Sequence, residues 1–217
     1  MRSLQPLVDR FEQFLNEPIR FRARILMVLL VVPLALSYTQ PLWRISMEAP
    51  QYPQGLNIDV YSYKLRGGHN NHDIDEINEL NHYIGMRAID PAALPELRLL
   101  PWILLALAAA ALVAAALGKR RLVGVWLVAV ALVGIAGVAD LYRWSYTYGH
   151  DLDAEHAIIK MPGMVYQPPL VGSKQILNFT ASSWPASGTW LAVAALIAGA
   201  AALMLSRRSA RAPRGAS

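Results

Sequence analysis

Four apolar stretches, at about 25–42, 99–117, 122–139 and 186–205, constrain this chain more than any other feature. Each reaches or approaches the roughly 20 apolar residues that cross the hydrocarbon core of a bilayer. In lipid a backbone must satisfy its own hydrogen bonds, and a helix does so within one segment. The spacing therefore predicts an all-α membrane protein with four transmembrane helices, two long polar loops and one tight turn. The 55% hydrophobic content belongs to these blocks and does not call for a large soluble core.

The first stretch contains Pro33, which a membrane helix tolerates. Ahead of it, Leu4, Leu7, Val8, Phe11, Phe14 and Leu15 recur at helical spacing, with Arg10, Glu12 and Gln13 off that stripe. Such a stripe before a span reads as an amphipathic helix lying in the membrane interface; packing on a soluble partner is the competing reading. Arg20, Arg22 and Arg24 then form a basic collar. Ala35-Leu36-Ser37 resembles a leader cleavage site, yet more than twenty residues precede the apolar run. That length favours an uncleaved anchor.

Charge orients the spans. Segments 1–24, 118–121 and 206–217 carry twelve Lys/Arg and three acids, whereas 43–98 and 140–185 carry eight Lys/Arg and twelve acids. The positive-inside rule puts both termini and the tight turn in the cytoplasm, and both long loops outside it. Trp43, Trp102, Tyr142, Trp144 and Trp190 fall near the outer boundary as an aromatic belt. The net charge of +5 thus divides into +9 inside and −4 outside, which describes membrane anchors and not a nucleic-acid footprint. Alanine runs, with Gly124, Gly134 and Gly137, predict close helix packing. No ionisable residue lies deep in a span, which argues against transport by this chain alone.

The loops hold the candidate chemistry. In 43–98, residues 56–65 read as one short strand, and Asp73 with Glu76 reads as a capping signature that opens a helix over 74–87. Ile74, Ile77, Leu80 and Ile84 then form a buried stripe, while Asn78, His82 and Met86 stack on another face. An imidazole and a thioether one turn apart suit copper, especially Cu(I). The competing reading has Met86 as packing only. His69 and His72 are weaker ligand candidates in a Gly/Asn-rich turn, where solvated histidines are ordinary. In 140–185, His150 and His156 flank Asp151, Asp153 and Glu155, a set equally consistent with a harder divalent ion or a solvated acidic turn. Met161-Pro162-Gly163-Met164 places two sulfurs around a turn in a polar loop, as ligands or as an apolar plug. Met47 is a further methionine outside the spans.

Absences narrow the chemistry. The chain has no cysteine, hence no disulfide, thiolate site or cysteine nucleophile. It has no phosphate-binding loop, nucleophile elbow or zinc-protease helix. Nothing in it reads as an enzyme working alone.

The segments MEAPQYPQGL, INELNHYIGM and MPGMVYQPPLVGSKQILNF resemble those of small bacterial membrane proteins that accompany copper delivery to nitrous oxide reductase. The resemblance covers mainly the two outer loops. It implies a multi-pass protein of the bacterial inner membrane that serves periplasmic copper handling, with a copper enzyme as partner. His82, Met86, Met161 and Met164 are then the candidate ligands. A non-catalytic structural subunit of a larger membrane complex is the reading of a different class, and the small-residue spans serve it equally.

Overall fold

The computed structural model describes Pro6, Asp9 and residues 17–153, 155–159, 163 and 165–206. The stripe at 4–16, apart from Pro6 and Asp9, and the basic tail beyond Ser206 lie outside the described residues. Four helical stretches are long and apolar enough to cross a membrane: Phe21–Thr39, Glu96–Leu117, Arg120–His150 and Ser187–Leu205.

The first is divided into α1 (Phe21–Leu29) and α2 (Val31–Thr39) at Leu30. Pro33 explains the division, because it cannot donate to the Leu29 carbonyl and its ring crowds that oxygen. Helical bonding resumes across the break, from Leu30 N–H to the Leu26 carbonyl and from Leu34 N–H to the Leu30 carbonyl. Residues 43–94 then form three strands and the short helix α3 (Asp73–Tyr83). α4 (Glu96–Leu117) ends at Gly118, whose φ of +67° suits a left-handed helix stop. α5 (Arg120–His150) and α6 (Ser187–Leu205) complete the bundle.

Ala23, Met27, Leu30, Leu34, Leu107, Ala111, Val123, Trp126, Ala195 and Ala202 belong to the bundle core. Trp126 donates its indole N–H to the Leu107 carbonyl at 2.8 Å, tying α5 to α4. Gly199 makes room for that indole, since a β-carbon there would lie 2.6 Å from the ring. The close approach expected at Gly134 and Gly137 does not occur, as nothing lies within 4 Å of a β-carbon at either. At the far end Arg120 is buried and pairs with Glu17 at 2.7 Å, and Ile19 N–H bonds the Gly118 carbonyl at 2.8 Å.

The all-α expectation is wrong: the two loops together build a five-stranded antiparallel sheet, ordered β3-β2-β1-β5-β4. The strands are β1 (Trp43–Ala49), β2 (Tyr52–Val60), β3 (Leu65–Gly67), β4 (Gly172–Ile176) and β5 (Phe179–Pro185). The single strand expected over 56–65 is instead most of β2, a turn, and the start of β3. The central pair, β1 and β5, comes from different loops, with Ser46 opposite Ser182. Both strands run straight into helices. Ala186 N–H bonds the Leu42 carbonyl at 3.0 Å, and Gly188 N–H bonds the Pro41 carbonyl at 2.8 Å. A β-carbon at Gly188 would also stand 2.8 Å from that oxygen, so the sheet is seated directly on the bundle.

α3 covers one face of the sheet. Ile74 and Ile77 bury against Leu56 and Ile58, with Leu80 packed beside them; these residues follow the expected stripe. Ile84 departs from it and joins a second cluster around Tyr166, Ile176 and Ala181. The expected capping box does not form. Asp73 is the first residue of the helix, and its buried carboxylate accepts the Asn57 N–H and His69 Nδ1, each at 2.7 Å. Glu76 accepts the Tyr52 hydroxyl instead, which pushes that phenol up to about 12. Both acids serve the helix–sheet contact because β2 supplies donors that a free helix end would lack.

Candidate functional site

The helix expected to reach residue 87 stops at Tyr83. Gly85 has φ +75°, its N–H bonds the His82 carbonyl, and Met86 N–H bonds the Asn81 carbonyl at 2.8 Å. This paired pattern is a Schellman stop, which glycine permits because it carries no β-carbon. His82 and Met86 are therefore not one helical turn apart. They nonetheless line the same cleft, of about 140 Å³.

The second loop closes that cleft. Gly85, Arg87, Asp153, His156 and Ala157 line it with His82 and Met86. Two carbonyls at the end of α3 take backbone donors from across the chain: Gly85 from Asp153 N–H and Tyr83 from Ile159 N–H, both at 2.8 Å. Helix-terminal carbonyls lack internal partners, so these bonds fix where the loop sits. An ion pair between Arg87 and Asp151 adds a side-chain tie. The two loops thus meet at this point and again in the sheet.

Asp153 organises its own end of the cleft. Its carboxylate accepts the backbone N–H groups of Glu155 and His156, each at 3.1 Å, and faces His156 Nδ1 at 2.8 Å. The hydrogen bond from the His156 backbone, followed by that from its ring, holds this carboxyl below the usual carboxylate value. With Nδ1 so engaged, Nε2 is the ring nitrogen available to a ligand. A carboxylate behind an imidazole is the arrangement that orients metal-binding histidines.

The remaining candidates are dispersed. Met86 is half-buried and packs on the cluster of Tyr166, Ile176 and Ala181, so it serves as core as well as lining. Met47 packs with Leu56, Ile58, Ile74 and Ile77 as ordinary filler. His69 sits in a turn with left-handed φ at three successive residues, His69, Asn70 and Asn71, and its ring is held by Asp73. His72 precedes α3 and is exposed. His150 ends α5, stacked on Tyr146 at 3.9 Å with Nδ1 at 2.9 Å from the Tyr146 carbonyl oxygen. Asn78, expected on the ligand face, makes a paired hydrogen bond to the backbone of Ile89. Met161 and Met164 lie outside the described residues. Among the described residues, no three His, Asp or Glu side chains converge as a metal-holding group.

Sequence reasoning ranks His156 among the weaker candidates, sets Asp153 in an acidic turn, and does not single out Gly85. The Asp-x-x-His spacing is the signal for the first two, and Gly after a helical run is the signal for the third. No family model matches the chain, and no curated protein or solved structure matches it.

Proposed function

We propose that this chain is a multi-pass accessory protein of the bacterial cytoplasmic membrane that binds copper transiently and hands it to a periplasmic copper enzyme. The observation that carries this reading is the cleft where His82 and Met86 of the first loop meet His156 of the second. Imidazole and thioether together suit Cu(I), and a chain without cysteine has no softer ligand to offer. Met161 and Met164 stay candidate ligands on the strength of the sequence alone. Copper here is cargo: exchange between such ligands needs open coordination and no redox step. The Lys/Arg bias supports a periplasmic sheet with cytoplasmic termini. The resemblance to proteins that accompany nitrous oxide reductase supports an enzyme of that kind as recipient.

A second reading, a structural subunit of a larger complex, is favoured by one observation. Residues 134–139 of α5 are all exposed, so no side of that length of helix is buried.

Competition titration with a Cu(I) chelator on detergent-purified protein separates the two. Copper handling predicts tight binding by the wild type and its loss in both His82→Ala/Met86→Ala and Met161→Ala/Met164→Ala. Absent binding, or binding unchanged in both pairs, leaves the subunit.

A further inference from the structure

At the end of the bundle away from the sheet, an open groove of about 360 Å³ runs between α1 and α4. Phe21, Ile25, Leu29, Leu112 and Ala116 form its apolar walls, and Arg24 is its one charged residue. Along α1 it extends from Phe21 to Leu29, about 12 Å at the rise of a helix. The small side chains of α4 leave the space open, and Phe21 and Leu29 are well exposed beside it.

Arg24 is the unusual element. Its guanidinium lies over Gly118, so close that a β-carbon there would fall within 1.9 Å of it. The residue is half-buried, and its guanidinium has no ion pair or hydrogen bond among the described residues. Glu17, the neighbouring acid, is committed to Arg120. The carbonyl end of α4 favours a cation at this place, but leaves the guanidinium donors without an acceptor. A cation beside hydrocarbon is expensive unless it reaches an anion or the interface.

We propose that this groove binds one anionic glycerophospholipid, with an acyl chain along the α1–α4 walls and its phosphate on the Arg24 guanidinium. Guanidinium and phosphate match as a bidentate, charge-assisted pair. Basic pockets between membrane helices are suited to such headgroups. The site is independent of the copper cleft, since it lies at the opposite end of the bundle, and it rests only on the helices being in a bilayer.

Native mass spectrometry of the full chain, delipidated and then offered equal phosphatidylglycerol and phosphatidylcholine, tests it. The wild type retains one phosphatidylglycerol with at least tenfold preference over phosphatidylcholine. Arg24→Gln brings that preference to near unity. Ala116→Trp, which fills the groove and keeps the charge, loses retention of both lipids. Arg22→Gln, on the same collar but off the groove, behaves as wild type. No preference in the wild type, a preference surviving Arg24→Gln, or an equal loss in Arg22→Gln overturns the proposal. Should Ala116→Trp fail to fold, the comparison of Arg24→Gln with Arg22→Gln decides it.

Discussion

Gly85 holds φ +75° with the Asp153 carbonyl oxygen 2.6 Å from where a β-carbon would sit, so two separate demands exclude a side chain there. Gly85→Ala is expected to lose about 1–3 kcal/mol of stability from left-handed strain and the forced retreat of the second loop. Chemical denaturation measures the loss; an unchanged midpoint would show that the loop contact at Gly85 does not form. The Asp153 carboxyl gives a pH signature. Its folded value lies below the ordinary 3.8, so its contribution is complete above that value and is lost as pH falls through the lower folded one. Carboxyl-carbon NMR should show Asp153 titrating below the ordinary carboxylate value in the wild type, and nearer to it in His156→Ala.

At the level of elements, Gly199 and Trp126 set the spacing of α5 and α6. Gly199→Ala should cost about 1–3 kcal/mol by overpacking, with a lower melting temperature and altered tryptophan emission as the indole leaves the Leu107 carbonyl. Unchanged melting would place the two helices farther apart than described. The spans are legible in sequence because hydropathy accumulates over some 20 residues and needs no partner. The strands differ among themselves. Trp43, Ile45 and Met47 alternate with Arg44, Ser46 and Glu48, a period-two signal plain in the sequence. β5 carries no such signal: Ala181 and Ser183 are the buried positions while Trp184 is 53% exposed. A strand with small residues inside and its largest outside is recognisable only from its neighbours. The length of α5 is obscured for a related reason. Its apolar run ends near residue 139, yet 31 residues stay helical, about 46 Å, because its polar end is held by the loops. Tyr148 bonds the Ala88 carbonyl at 3.1 Å, and Tyr166 N–H bonds that of Gly149 at 3.1 Å.

For the whole molecule, the consequential contact is the pairing of β1 with β5, which makes two loops separated by two spans into one sheet over the bundle. Ser46→Cys/Ser182→Cys tests it directly. Paired antiparallel residues stand about 4.5–5.5 Å apart at Cα, within the range of a disulfide, and the chain has no cysteine to compete. Mild oxidation should cross-link this pair, and Ser46→Cys/Ser173→Cys, which is one strand farther, should not link. The same joining explains why the candidate site is only half legible. His82 and Met86 announce themselves by spacing, whereas the role of His156 depends on Asp153 and Ile159 docking on a helix end some seventy residues earlier. The central claim is that one cleft built from both loops holds the copper, and a double-mutant cycle in Cu(I) affinity tests it most directly. His82→Ala and His156→Ala should each weaken binding about tenfold or more, and the double variant should lose clearly less than the two effects combined. Fully additive losses, or no loss in His156→Ala, would mean that the loops do not share a site.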